Sequence, residues 1–292
     1  MSAGRAHERH LNPAYLAAGV SSVLFGAGDL SGGIAAKRAP APVVTCFSGL
    51  GALLVLFVGL PFTHGSPTRA NLVWGAAAGV CSAAGATLIY RSLALGPAVV
   101  ASPVFSGIGL CVPVLFGVLI GERPSALAWT GIALVPLTLP LLSWTAEGAG
   151  QASRAHVRRT LLVATIAGLV IGWFLICVAR IGGGAGLWPL VVARALGMAT
   201  LAVWLLARGR SIVPAADARP AAFGAGVLDS AANVAYWYAV QMAPIAIVAT
   251  LVSLAPATTV ALARVLLGER WTMPQRFGFA LAMVAIGCIS LG

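Results

Sequence analysis

Apolar runs of about 20 residues, enough to cross roughly 30 Å of hydrocarbon at about 1.5 Å per residue, recur from one end of the chain to the other. Read against their proline, glycine and charged punctuation, they predict spans near 13–34, 41–61, 71–94, 98–120 and 125–144. Five more follow near 159–181, 187–207, 219–241, 245–267 and 273–291. The longest polar connection, Ala146 to Arg159, lies between the two sets. The other loops are short, so consecutive helices must be antiparallel neighbours. The first dozen residues are polar and run into a full span without a signal-type cleavage site, so no leader is expected to be removed. The expected fold class is an all-α integral membrane protein with ten transmembrane helices.

A spaced motif divides these spans into two units. Pro97 stands 24 residues before Gly121-Glu122-Arg123, and Pro244 stands 24 residues before Gly268-Glu269-Arg270, a shift of 147 without a gap. The chain therefore reads as a duplication, 1–146 and 147–292, with five spans in each copy. An odd number of spans per copy makes the second copy enter the bilayer upside down, the inverted repeat of many secondary transporters. The two Gly-Glu-Arg triplets fall at helix ends on opposite faces, where they are expected to cap helices or latch loops. Pro103, Pro113 and Pro256 are expected to interrupt the fourth and ninth spans, since each removes an intrahelical hydrogen bond. Glycines such as Gly75 with Gly79, and Gly224 with Gly226, read as helix-packing or turn positions.

Composition removes several function classes. Of 292 residues, 60% are hydrophobic and 9% charged, with mean hydropathy +0.97, whereas a soluble domain has about 25% charged residues. A soluble surface could hardly be built from this chain. The net charge of +11 does not point to nucleic acid, because the 18 Lys and Arg residues are scattered between apolar runs. The five cysteines all lie inside apolar runs and read as small core residues. The sequence contains no GxSxG, HExxH or Walker pattern, and the four histidines lie in the terminus or in loops. No enzyme activity, metal or cofactor is expected. Arg5, Arg9, Arg69, Arg123 and Arg180 fall on one side and the more numerous other loop cations on the opposite side, which favours termini outside.

Candidate chemistry lies where polar groups enter the spans, because such groups are costly in hydrocarbon and usually face a cavity or a partner. In the eighth span Asp229, Asn233, Trp237 and Gln241 recur every fourth residue along one helix face. Shifted by 147, these positions become Ser82, Ala86, Tyr90 and Ala94 in the third span. Tyr90 and Trp237 thus form a candidate clamp, with Ser82, Asn233 and Gln241 as polar partners for a small amphipathic solute. The plainer reading is two aromatics packed between helices. Asp29 and Asp229 are the deep carboxylates and candidate charge or proton sites. For Asp29 the alternative is a structural ion pair. Arg91, Arg194 and Arg264 lie within or near span ends and are expected to snorkel to the interface.

The duplicated unit, with its apolar helix, Gly-Glu-Arg and last span, resembles the EamA repeat of the drug/metabolite transporter superfamily. YRSLALGPA at Tyr90 to Ala98, followed by LIGERPS, is similar to the third-helix end and fourth-helix exit of that family. In length and in the aromatic residues of its third and eighth helices the chain is most similar to the YddG-type amino-acid exporters. The resemblance implies a bacterial inner-membrane transporter working by alternating access. It also implies a cavity walled by helices three, four, eight and nine with one and six, and cytoplasmic termini, against the arginine count. The expected partners are a small-molecule substrate, amino acids above all, and the lipid bilayer, with the monomer as the functional unit. The alternatives are a drug or organic-cation exporter and, in another class, a non-transporting scaffold.

Overall fold

The computed structural model describes residues 13–95, 98–142, 154–267 and 272–291. Its helices are α1 (Pro13–Ala36), α2 (Ala41–Gly59), α3 (Arg69–Leu95), α4 (Ala98–Leu119), α5 (Ala126–Leu142) and α6 (Arg154–Ala179). They continue with α7 (Trp188–Leu206), α8 (Arg219–Val240), α9 (Ile245–Val252), α10 (Ala255–Leu267) and α11 (Met273–Leu291). No strand occurs among the described residues. Helices satisfy every backbone group within their own segment, as hydrocarbon demands. Each expected span corresponds to one helix, except the ninth, which is divided into α9 and α10.

That division follows from Pro256. Proline has no N–H to offer the Val252 carbonyl, and its ring crowds the preceding turn. The chain turns at Ser253 and Leu254, where Leu254 N–H donates to Leu251 O at 3.3 Å and Ala257 N–H to Leu254 O at 2.9 Å. The interruption expected at Pro103 and Pro113 is not found, because α4 runs unbroken through both. Likewise α5 contains Pro136 and Pro140. A proline in a membrane helix is tolerated where neighbours or local adjustment meet the freed carbonyl, so sequence position alone does not decide which helix breaks.

Among the described residues, four stretches are long and apolar enough to cross a membrane: Ala41–Phe62, Arg69–Ile89, Arg158–Ala179 and Trp188–Leu206. Large apolar side chains such as Phe57, Val73, Leu115, Leu162 and Val203 are exposed. Together these describe a multi-pass membrane protein whose solvent is lipid. The long helices α1 and α8 are absent from that set, and they are packed lengthwise against each other. The two helices that carry Asp29 and Asp229 thus pair with one another. Ser21 Oγ donates to Ala232 O and Ser31 Oγ to Ala221 O, both at 2.8 Å, tying α1 to α8 at two levels.

The remaining pairs have a regular form. α3 packs on α6 as α1 does on α8, α3 on α7 as α2 does on α8, and α4 on α6 as α1 does on α9 and α10. The pairs α2 with α7, α4 with α9, and α5 with α11 complete the bundle. Exchanging the first five spans with the last five leaves this set of pairs unchanged. Glycines admit the closest approaches: a Cβ on Gly79 would collide with the Ala193 carbonyl oxygen, and one on Gly226 with that of Ser48. These two glycines are 147 residues apart, so the same approach is made twice.

Gly79→Ala and Gly226→Ala should each lower the melting temperature in detergent, since overpacking costs about 1–3 kcal/mol or more. Gly19→Ala, where nothing lies within 4 Å of the added carbon, should leave it unchanged.

Candidate functional site

A helix of 24 residues and another of 22 bring Asp29 and Asp229 into the same part of the bundle. Gly28, next to Asp29, lies beside the backbone of α8 at Ala225 and Asp229. The two carboxylates are near enough for their charges to repel. Asp29 is accessible by surface yet deep among protein atoms, as a group on the wall of an internal cleft would be. Arg194, on α7, forms an ion pair with Asp229, with the two side chains 17% and 38% accessible. No cation pairs with Asp29 among the described residues. Among the described residues the guanidinium is thus paired with one of the two carboxylates, that of Asp229.

Arg194 corrects the expectation that it snorkels to the interface. Its guanidinium instead turns toward Asp229, because an arginine inside a bundle gains more from a carboxylate than from a distant headgroup. The signal available in the sequence was its depth, since six residues of α7 precede it. Arg91 and Arg264 have side chains outside the described residues.

The other residues of the eighth span fall into two groups. Asn233 is 3% exposed and its Nδ2 donates to Asp229 O at 2.7 Å, so its amide nitrogen is spent on its own helix. Its Oδ1 is buried without a partner, as is Ser230 Oγ. Trp237 is 6% exposed, and its Nε1–H donates to Ile181 O at 3.1 Å. Gln241 Nε2 donates to the same carbonyl at 2.9 Å. Trp237 and Gln241 therefore tie the end of α8 to the residue that follows the end of α6, a bond within the second half. One turn apart on the face, Asn233 belongs with the charges and Trp237 with this tie. Tyr236, which the sequence did not single out, is fully buried and donates to Leu175 O at 3.1 Å.

In the first half, Ser82 is half-buried on α3. Tyr90 lies on the same helix, with its side chain outside the described residues, so the expected clamp is described on its Trp237 side only. Gly121-Glu122-Arg123 follows α4, and Glu122 caps a helix, since its carboxylate accepts the Ile245 and Ala246 N–H groups. Gly268-Glu269-Arg270 lies outside the described residues. No group of three or more His, Cys, Asp and Glu is placed to hold a metal among the described residues.

Residues 158–291 match the EamA-like transporter family, so the second half of the chain resembles membrane transporters of the drug/metabolite superfamily. A solved structure titled "Crystal structure of protein" superposes with a TM-score of 0.77 at 18% identity, over 95% of this chain and 96% of that one. It is a likeness of fold. No curated protein matches the chain.

Arg194→Gln should leave two repelling carboxylates and destabilise the protein by about 1–3 kcal/mol, between the values for exposed and fully buried pairs. Adding Asp229→Asn should recover part of that loss. Equal melting temperatures for parent and Arg194→Gln would show that the pair contributes nothing.

Proposed function

We propose that this chain is a secondary transporter that exports small amphipathic metabolites, amino acids first, across a bacterial inner membrane by alternating access. Its halves, 1–146 and 147–292, are then inverted five-helix repeats. The observation that carries the reading is the set of Asp29, Arg194 and Asp229 converging from three helices. An amino acid has the complementary pattern of one carboxylate and one ammonium. Its carboxylate would replace that of Asp229 on Arg194, and its ammonium would settle between the two released acids. Arg194 and Asp229 then each exchange one partner for another, which avoids the cost of leaving a charge unpaired. Asn233 Oδ1, an acceptor without a donor, is available one turn away. Tyr90, Trp237, Ser82 and Gln241 are the wall residues of the proposed path.

The inverted arrangement is supported by the symmetric set of helix pairs and by the repeated approach at Gly79 and Gly226. Alternating access draws support from an uneven distribution of ties between the halves. Ser66 N–H donates to Gly184 O and Gly182 N–H to Asn71 Oδ1, both at 3.1 Å, and the Glu122 carboxylate accepts the Ile245 and Ala246 N–H groups, all at one end of the bundle. At the other end the described ties are the exposed Arg38–Asp217 pair, in which Arg38 Nη1 donates to Asp217 O at 3.0 Å, and the bond of Ser31 Oγ to Ala221 O at 2.8 Å.

The uncompensated charge of Asp29 favours a second reading, export of organic cations. Uptake into proteoliposomes separates the two. On the first, neutral and aromatic amino acids are carried, and Arg194→Gln and Asp29→Asn each reduce transport at least tenfold. If cationic dyes are carried instead and Arg194→Gln leaves that transport intact, the cation reading replaces it. Movement of neither class would leave a non-transporting membrane protein. Inversion is checked by cysteine labelling at Ser125 and Thr272 in sealed vesicles. The two positions should react from opposite sides, and equal reactivity from one side would rule out the inverted repeat.

A further inference from the structure

The Glu122 carboxylate lies in the first half of the chain, but the N–H groups it accepts belong to the second. Ile245 N–H donates to Oε1 at 2.7 Å and Ala246 N–H to Oε2 at 3.0 Å. These are the first two N–H groups of α9, which no residue of their own helix can satisfy. Pro244 precedes them and supplies no side-chain cap. A carboxylate bonded to both at once gains from charge assistance and from the positive end of the helix.

The seat for this carboxylate is built by the residues before it. Gly121 has φ +96°, a left-handed conformation that glycine adopts without strain, and it reverses the chain after α4. The Glu122 N–H then donates to Gly117 O at 2.9 Å, which folds the loop back on the helix. A Cβ at Gly117 would occupy the place of Glu122 Oε2. One glycine turns the chain and another makes room, so the contact is prepared by the fold of α4 itself.

What is held there is a movable piece. All eight residues of α9 are buried, yet the helix ends at the Ser253–Leu254 turn and is joined to α10 only through that turn. The N-terminal end is fastened by Glu122 and the C-terminal end is a hinge. The same end of the bundle carries the Trp237 and Gln241 bonds to Ile181 O and the bond of Gly182 N–H to Asn71 Oδ1 at 3.1 Å.

We infer that Glu122 is a positioning residue that holds α9 against α4 and so keeps this face of the bundle shut, and that α9 swings about its hinge when the carboxylate lets go. The inference rests on the alternating-access reading for its role in transport, though the latch itself can be tested without any substrate. Glu122→Gln is the informative variant. Its amide keeps one acceptor oxygen for Ile245 but turns an NH2 group toward the Ala246 N–H, so one of the two bonds becomes a clash of donors. Glu122→Asp keeps the charge on a side chain one methylene shorter.

The test is hydrogen exchange of the purified full-length protein, together with labelling of Thr250→Cys, buried in α9, from the side that bears Ser125. In Glu122→Gln the amides of Ile245–Val252 should exchange about tenfold faster or more, while α2 and α7 keep their protection. Labelling should rise by a similar factor, and Glu122→Asp should fall between parent and Glu122→Gln in both. Unchanged α9 exchange in Glu122→Gln would overturn the latch, and so would an equal acceleration in all helices, which marks general destabilisation. Because exchange is read without substrate, a failure of every transport assay would remove the transporter reading and leave this result to stand or fall by itself.

Discussion

Hydrocarbon gives membrane helices no hydrophobic reason to associate, so the bundle depends on close backbone approach and on hydrogen bonds between helices. Gly79 against Ala193 and Gly226 against Ser48 supply the first, and the serines of α1 supply the second by donating to carbonyls of α8. Thr259 Oγ1 adds a bond to Gly26 O at 3.1 Å, fixing α10 on the same helix. α1 is therefore held from both sides by the second half of the chain. The positions of Asp29 and of the broken ninth span follow from that.

The placement of charge is a consequence of this packing. α1 keeps Leu16, Val20 and Val23 exposed, while its pairing with α8 brings Asp29 and Asp229 into the same part of the bundle. Arg194 pairs with one of the two, and no cation pairs with the other among the described residues. A group left in that condition is costly unless something recurrently satisfies it. The buried acceptor of Asn233 is a smaller instance of the same imbalance.

Movement requires that some part be held less tightly than the rest. The bond network at one end and the Pro256 hinge leave α9 as a short rigid body attached by its N-terminus to a loop of the other half. Its packing is continuous with the largest apolar cluster, through Ile247, Val248, Leu251 and Val252. A carboxylate from the other half of the chain is a suitable fastening, because it can be released without unfolding any helix.

Hydropathy is a local property, and what it controls was legible in the sequence by itself. The spans, such as 41–61 for α2 and 273–291 for α11, agree with the helices to within a few residues, because the bilayer sets one length for every crossing. The repeat of Pro97 and Glu122 at Pro244 and Glu269 was equally plain, as were Asp29 and Asp229 as deep acids. Partnership was not legible. That Arg194 turns to Asp229, that Trp237 and Gln241 share the Ile181 carbonyl, and that Glu122 reaches α9 depend on how each helix is rotated and where it crosses its neighbours. Pro256 breaks its span while Pro103 and Pro113 do not, since the outcome depends on what surrounds the freed carbonyl. The sequence determined which segments form the helices and which polar groups they carry, and tertiary structure alone decided which of those groups meet.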